Sequence, residues 1–218
     1  TRIDVIPNAA EPVGETALRS ARNDLRARLG IADDEFVFGF VGRLSVEKGL
    51  KHLLGALTLG SPASRSWRLL VVGDGPLRPE MEESAAGAGL GGRVIFAGFQ
   101  SDVSPWFAAM DAFVLPSMTE GTPMALLEAM THGIPVIASA VGGVPAVVSH
   151  RANGVLVPPG DRQALSAALC EIASDGALRR RLSAAGHETV RNQYDVRAWA
   201  AAVRSVYERA LQSSQVGR

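Results

Sequence analysis

Two glutamates eight residues apart, Glu120 and Glu128, form the pair of side chains that most directly suggests chemistry in this chain. Glu120 follows the apolar, strand-like run 112–116, and Glu128 lies about a turn and a half into the helix-like run that comes next. The first N–H groups of that helix fall between the two carboxylates, and they attract anions because they lack partners within the helix. An anion site flanked by two hydrogen-bond acceptors suits a molecule with a diphosphate centre and hydroxyl-rich ends, such as a nucleotide-sugar.

The residues between the two glutamates predict how the helix begins. Gly121 permits a close approach of the backbone, Thr122 can serve as the N-cap, and Pro123 suits the first helical position, where its missing N–H costs little. The backbone N–H groups left available to a phosphate would be those of Met124, Ala125 and Leu126.

The two carboxylates have different predicted partners. Glu120 could accept hydrogen bonds from sugar hydroxyls, and Glu128 could accept them from ribose hydroxyls. The alternative for Glu128 is a solvated glutamate on a surface helix. Its neighbours argue against that alternative, because they make the helix mostly apolar and a buried carboxylate needs partners. These neighbours are Ala125, Leu126, Leu127, Ala129 and Met130.

Two cations form a second candidate group, in the segment that leaves the first strand-like run. Arg43 could hold an anion through its two-pronged fork, and Lys48 could reach the same anion as a point charge. Gly42 and Gly49 would let the backbone come close or turn sharply. The alternative is a pair of surface cations in a polar loop, which is less favoured because the Glu120 segment also predicts an anion site.

A Gly-x-Gly pair follows the next strand-like run. Gly73 and Gly75 flank Asp74, but Arg78 stands where a dinucleotide fingerprint has its third glycine, so the pattern does not support NAD binding. The pair predicts either a tight turn between strand and helix or a glycine wall beside a nucleotide.

Another strand end carries Gly98, Phe99 and Gln100. Phe99 and Gln100 could line a flat base, with backbone groups near Gly98 reading its edge. The alternative is a plain helix start that Ser101 or Asp102 caps.

These residues need elements that bring them together, and the chain alternates short apolar runs with longer helical patterns. That alternation predicts an α/β fold: a Rossmann-like, three-layer domain with a parallel six-stranded sheet, whose ligands bind at the carboxyl ends of the strands. The charge-rich segment 22–35 is predicted to be a solvated helix and turn. The predicted strands are 36–41, 68–72, 94–97, 112–115, 135–138 and 154–157. The predicted helices are 49–59, 77–88, 104–110, 123–132, 144–149, 162–174, 177–193 and 196–212.

Composition narrows the class of protein. Basic and acidic residues balance at 22 each, which argues against a nucleic-acid partner because no basic excess exists to neutralise phosphates. A single cysteine, Cys170, fits a reducing, cytoplasmic compartment. No Asp-x-Asp triplet occurs, and the four histidines have no metal-ligand spacing, so we expect no metal and no cofactor. The chain begins at Thr1, so we expect a fragment or processed product, whose upstream part could carry a signal.

Several motifs in a fixed order resemble the donor-binding, C-terminal half of a GT-B glycosyltransferase of the large retaining family 4. The resemblance runs from about Val5 to Tyr207. Its parts are Gly42-Arg43 with Lys48-Gly49, Val72-Gly73-Asp74-Gly75-Pro76, Phe96-Ala97-Gly98, the Glu120–Glu128 pair, Gly133-Ile134-Pro135-Val136-Ile137-Ala138-Ser139, Gly142-Gly143-Val144-Pro145 and Gly154-Val155-Leu156-Val157-Pro158-Pro159-Gly160-Asp161.

The resemblance implies roles for these residues. Arg43, Lys48 and Glu120 would be catalytic: the cations would hold the donor diphosphate, and the glutamate would contact the transferred sugar. Glu128 would hold the ribose. The family transfers a sugar from a nucleotide-diphospho-sugar to an acceptor hydroxyl with retention at the anomeric carbon, usually without a metal. The remaining donor-binding residues would be Gly42, Gly73, Gly75, Gly98, Phe99, Gln100, Gly121, Thr122, Pro123, Met124 and Ala125.

The resemblance also implies what this chain lacks. Residues 1–212 would form the donor-binding domain and 213–218 a polar tail, while the N-terminal acceptor domain would be absent. We therefore expect the isolated domain to turn over little. The whole enzyme would act on a carbohydrate or lipid acceptor in the cytoplasm, peripheral to the inner membrane face through the absent domain. Ala146 stands where the family commonly has glutamate, and the opening reads Asn8-Ala9 where it commonly has Asn-Gly.

Other functions remain compatible with the same architecture. One is a non-hydrolysing nucleotide-sugar epimerase, which the Glu120–Glu128 pair disfavours. Another is a non-catalytic nucleotide-binding module that kept the fold. A third, an NAD-dependent oxidoreductase, is disfavoured by Arg78 in the broken glycine pattern.

Overall fold

The computed structural model of the chain describes residues 6–11, 15–60 and 66–215. Within them a single six-stranded sheet has the order β3-β2-β1-β4-β5-β6, and all of its neighbouring strands run parallel. This confirms the predicted α/β class and the parallel six-stranded sheet. The strands are β1 (Phe36–Val41), β2 (Trp67–Val72), β3 (Val94–Gly98), β4 (Ala112–Leu115), β5 (Val136–Ser139) and β6 (Val155–Val157).

Helices connect the strands and cover both faces of the sheet. A short 3-10 helix, Val46–Lys48, precedes α2. Helix α9 continues to Gln215, past the predicted end at 212, and residues 216–218 lie outside the described residues. The α-helices are α1 (Glu15–Arg28), α2 (Leu50–Leu59), α3 (Arg78–Gly87), α4 (Ser104–Ala109), α5 (Met124–Thr131), α6 (Val144–Val147), α7 (Arg162–Ser174), α8 (Gly176–Gln193) and α9 (Val196–Gln215).

The core has two layers because side chains of a strand alternate between the faces of the sheet. On β1 the three phenylalanines Phe36, Phe38 and Phe40 belong to the layer beneath α2 and α7. Val37, between them, belongs to the opposite layer with α4 and α5. All residues of β1 except the last, Val41, are buried, as expected for a parallel sheet covered on both sides.

The charge-rich segment 22–35 is the main departure from the predicted fold. It was expected to be solvated, but Arg26 has a side chain only 4% exposed. Its guanidinium bonds Asp111 at 3.2 Å, and Arg22 bonds the other oxygen of Asp111 at 2.6 Å. Arg22 and Arg26 therefore attach α1 to the start of β4, while Asp24, Arg28, Asp33 and Asp34 are exposed as predicted.

The strand order places the candidate residues. The order reverses direction at β1, which has β2 on one side and β4 on the other. In such sheets a crevice opens outside the carboxyl ends of the strands at the point of reversal. Here that crevice lies between the loop after β1, which carries Arg43 and Lys48, and the loop after β4, which carries Glu120. Among the described residues no helix is long and apolar enough to cross a membrane.

Candidate functional site

The loops after β1 and β4 meet through their charged side chains. Lys48 Nζ donates a hydrogen bond to Glu120 Oε1 at 2.8 Å, and Ser117 Oγ donates to the same oxygen at 2.7 Å. The Glu120 side chain is 6% exposed and that of Lys48 is 27% exposed. The sequence assigned these two residues to neighbouring parts of one ligand, and the structure brings them into direct contact.

Backbone contacts hold the same two loops together. Gly49 has a φ of 67°, and a Cβ there would overlap the carbonyl oxygen of Pro116. The Met118 N–H donates to the Glu47 carbonyl at 2.8 Å. The left-handed backbone and the close approach both require a glycine at position 49, as the sequence predicted.

Arg43 lies on the same loop but is exposed, and it makes no ion pair with any residue that the structure describes. Its guanidinium is therefore free to take an anion. Lys48 has an ammonium with three N–H groups, of which Glu120 takes one. Two cations thus border the crevice, one unpaired and one with donors to spare.

Helix α5 begins one residue later than the sequence predicted. Pro123, and not Thr122, is the N-cap, and no side chain caps the helix. Pro123 has an extended backbone there, so it lies just before the first helical residue, Met124. The Leu126 N–H donates to the Pro123 carbonyl at 3.2 Å, so the prediction that it is available to a phosphate is wrong. The N–H groups of Met124 and Ala125 have no acceptor among the described residues.

Glu128 lies half-buried on α5, and burial raises the pKa of its carboxyl above the ordinary value. No described residue donates a hydrogen bond to this carboxylate. Its backbone carbonyl accepts from the His132 N–H and lies 2.8 Å from His132 Nδ1, but the carboxylate oxygens stay unpartnered. A desolvated acceptor without a protein partner is suited to a ligand that brings hydroxyl donors.

A cleft of about 410 Å³ extends from Arg43 to the ends of β2 and β3. Phe99 is 78% exposed at its rim. Gln100 donates from Nε2 to the Ala97 carbonyl at 2.9 Å, which fixes its amide against the end of β3. The lining residues are Val41, Gly42, Arg43, Val72, Gly73, Asp74, Phe99, Gln100 and Val103.

Two of the predicted glycines pack the loops of this cleft against each other. A Cβ at Gly73, whose φ is 128°, would overlap the Gly42 carbonyl oxygen, and a Cβ at Gly75 would lie 2.5 Å from the Leu44 carbonyl oxygen. Asp74 accepts from the Gly75 N–H, which lowers the pKa of its carboxyl, and pairs with Arg78 at 3.1 Å. The Gly-x-Gly pair thus forms the predicted tight turn between strand and helix. Gly73 also lines the cleft.

The end of β3 has both a helix start and two side chains that line the cleft, and the binding of a base there stays a prediction. The N-cap of α4 is Val103, so the prediction that Ser101 or Asp102 is the cap is wrong, although Asp102 accepts a hydrogen bond from the Ser104 N–H at 3.0 Å. Gly98 has a φ of 72°, which turns the chain so that Phe99 and Gln100 reach the cleft.

Sequence reasoning missed several residues that support Glu120. Ser117 was not considered, although a small polar residue just past the end of a buried strand is a recognisable signal. Gly142 and Gly143 were given no role at the site. The Gly143 N–H donates to the Gly121 carbonyl at 3.1 Å and lies 3.4 Å from that of Glu120. Asn8 Nδ2 donates to the Thr122 carbonyl at 3.2 Å.

Metal ligands were not expected from the sequence. Within the part of the chain that the structure describes, no three histidine, cysteine or acidic side chains gather as a metal site.

Comparison with known families gives a match over most of the chain. Residues 21–189 match the family described as glycosyl transferases group 1. The 2-deoxystreptamine glucosyltransferase of Streptomyces kanamyceticus is 34% identical over 212 residues, which are 96% of this chain and 55% of that protein.

Solved structures of glycosyltransferases also match most of the chain. Alr3699/HepE of Anabaena, crystallised with UDP-glucose, matches with a TM-score of 0.84 and 28% identity over 94% of this chain and 57% of its own. The C-terminal domain of the glycosyl transferase group 1 protein LpcC of Francisella tularensis matches with a TM-score of 0.73 and 26% identity, over 85% of this chain and 96% of its own. This chain spans about half the length of the full-length relatives that it matches.

Proposed function

The chain belongs to the glycosyl transferases group 1 family, and from that membership and the geometry of its cleft we propose that it is the donor-binding half of a retaining glycosyltransferase. The whole enzyme transfers a hexose from a nucleotide-diphospho-sugar to an acceptor hydroxyl. The observation that carries the proposal is the contact between Lys48 and Glu120 at this crevice, 2.8 Å long, which lies a few residues before the start of α5, where no side chain caps the helix.

The diphosphate is the part of the donor that this crevice fits best. Arg43 has no ion pair with a described residue, and Lys48 keeps donors beyond the one that it gives Glu120. The N–H groups of Met124 and Ala125 point out of the helix start, where the helix dipole favours negative charge. In our proposal these groups stabilise the diphosphate as its bond to the anomeric carbon breaks, and that electrostatic stabilisation is the main contribution of the domain to catalysis.

The two ends of the donor fit the two sides of the crevice. The sugar lies against Glu120, which is held at the junction of the two loops. The ribose lies against Glu128, whose desolvated carboxylate accepts its hydroxyl protons. The base enters the cleft of about 410 Å³ between Phe99, Gln100 and Gly73. HepE of Anabaena was crystallised with UDP and with UDP-glucose, which supports a uridine nucleotide as the first donor to test.

The chain by itself supplies one side of an active site. We propose that the acceptor is bound by a further domain, since the chain spans about half of its full-length relatives. The isolated chain should then bind the donor and turn it over little. A retaining outcome for the whole enzyme follows from the family 4 resemblance and is part of the proposal.

A binding panel tests the proposed function. The chain is titrated calorimetrically with UDP, GDP, ADP, UDP-glucose, GDP-mannose and ADP-glucose, with uridine and NADH as controls. We expect one nucleoside diphosphate and its sugar ester to bind and uridine to bind far more weakly, because most of the attraction is directed at the diphosphate. Absence of binding by all three diphosphates, or tighter binding of NADH, would contradict the proposal.

A further inference from the structure

Ser117 holds an unusual place beside Glu120. It follows β4 by one proline, is 0% exposed, and donates from Oγ to Glu120 Oε1 at 2.7 Å. Lys48 donates to the same oxygen at 2.8 Å. The other carboxylate oxygen, Oε2, accepts no hydrogen bond from a described residue, and it is not among the buried atoms sealed from solvent. The carboxylate is therefore anchored at one oxygen and presents the other.

We propose that Ser117 is a positioning residue that holds the Glu120 carboxylate so that Oε2 faces the sugar of the donor. The inference rests on the proposed function and adds to it a residue for sugar recognition. It assigns Ser117 no contact with the donor, since the residue is fully buried beneath Glu120.

Lys48 cannot fill this role alone. In the proposed function its ammonium also donates to the diphosphate, so its position depends on the donor as well as on Glu120. Its side chain is long, flexible and 27% exposed, and ordering such a chain has an entropic cost. Ser117 has one rotatable bond to its hydroxyl and lies at the end of a fully buried strand. It therefore keeps the carboxylate oriented in both the free and the donor-bound protein.

The backbone around Glu120 supports the same orientation. The Gly143 N–H lies 3.4 Å from the Glu120 carbonyl oxygen and bonds the Gly121 carbonyl at 3.1 Å, which fixes the main chain on the other side of the residue. With the main chain held there and one oxygen held by Ser117, the rotation that remains to the side chain is small. A carboxylate fixed in this way discriminates between a donor with a sugar and a bare nucleotide.

The test compares nucleotide with nucleotide-sugar in the intact chain. The measured quantity is the ratio of the Kd for UDP to the Kd for UDP-glucose, or the same ratio for GDP with GDP-mannose or ADP with ADP-glucose if that nucleotide binds. The variant is Ser117→Ala. The matched control is Ser166→Ala. Ser166 is another buried serine, on helix α7, and its hydroxyl donates to the Gly60 carbonyl at 3.2 Å.

We expect Ser117→Ala to lower the ratio about tenfold, the scale of one hydrogen bond to a charged group, while the Kd for the bare nucleotide stays within about twofold. Ser166→Ala should leave the ratio unchanged even where it lowers the melting temperature. Ser117→Thr, which keeps the hydroxyl, should restore most of the preference. If Ser117→Ala does not fold, Ser117→Cys gives the same comparison, because its thiol is a much weaker donor of similar size.

Three outcomes would overturn the inference. The first is an unchanged ratio in the variant that lacks the hydroxyl, and the second is an equal loss of affinity for nucleotide and nucleotide-sugar. The third is a ratio of one in the unaltered chain, which would mean that Glu120 does not contribute to sugar binding. Failure of the unaltered chain to bind any of the three nucleoside diphosphates is distinguishable from these, because it overturns the proposed function itself.

Discussion

Lys48 and Glu120, 72 residues apart in the sequence, form an ion pair with 2.8 Å between Nζ and Oε1. The pair joins the loops that follow the two neighbouring strands β1 and β4, at the point where the strand order of the sheet reverses. It places a cation suited to a phosphate next to a carboxylate suited to a sugar, and the bond between diphosphate and sugar is the one that a glycosyltransferase breaks.

Arg43→Ala should weaken the binding of UDP by about 1.5–3 kcal/mol, the scale of a hydrogen bond to a charged group. The unfolding free energy should hardly change, because Arg43 is exposed and has no ion pair with a described residue. Calorimetric titration with UDP and uridine gives the measurement, and Arg28→Ala, an exposed arginine on α1, is the control. Equal affinity for UDP in the Arg43 variant and the unaltered chain would refute the role.

Glu128→Gln should weaken the binding of UDP more than it weakens the binding of 2′,3′-dideoxy-UDP. The reason is that the dideoxy nucleotide lacks the hydroxyls that the carboxylate is proposed to bind, so it has no such bond to lose. The two Kd values are measured for the variant and for the unaltered chain under one set of conditions. Equal losses of affinity for the two nucleotides would show that Glu128 does not bind the ribose hydroxyls.

The same substitution should change how the stability of the free protein depends on pH. Burial raises the pKa of Glu128, so the folded protein holds that proton more tightly than the unfolded chain does. The unfolding free energy therefore loses a contribution as the pH rises from the ordinary carboxyl range through the raised pKa. Glu128→Gln cannot ionise and should have the higher melting temperature at pH 7, with the difference shrinking toward about pH 4.

Thermal unfolding of both proteins at a series of pH values measures how this difference in melting temperature changes with pH. Glu83→Gln, an exposed glutamate on α3, serves as the control and should show no such trend. A Glu128→Gln variant that is less stable at pH 7 than the unaltered chain would mean that the carboxylate has a partner that the structure does not show.

Gly142→Ala should disturb the loop that carries Glu120. Gly142 has a φ of 50°, and a Cβ there would overlap the Glu120 carbonyl oxygen, so the loop must move. We expect a loss of about 1–3 kcal/mol of unfolding free energy and a clear loss of affinity for UDP-glucose. Gly30→Ala separates the effect of the positive φ from that of the overlap, because Gly30 has a φ of 64° but a Cβ there would have nothing within 4 Å. The Gly30 variant should lose stability and keep its affinity; if both variants bind UDP-glucose normally, the loop does not need this support.

The sheet was predictable from the sequence because buried parallel strands are continuous apolar runs between glycines and prolines. Strands β1 and β4 have the predicted bounds, and the other four differ by a residue or so at one or both ends. The residues that border the crevice were also predictable, since each follows a strand and the carboxyl ends of parallel strands meet at one edge.

The pairing of charges was not predictable. Arg26 and Asp111 are 85 residues apart in the sequence. A charge-rich helix is predicted to be solvated when the fold that buries part of it is not known. Nothing in the spacing of Lys48, Ser117 and Glu120 indicates that two donors meet on one carboxylate oxygen, because that depends on the loop conformations. The start of α5 was misplaced for a local reason: Pro123 suits both the first helical position and the N-cap, and the loop decides between them.

A crystal structure of the chain with UDP would show where the diphosphate binds. We expect it to lie between the side chains of Arg43 and Lys48 and the N–H groups of Met124 and Ala125, with the ribose hydroxyls at the Glu128 carboxylate. A diphosphate bound anywhere else on the chain would contradict this expectation.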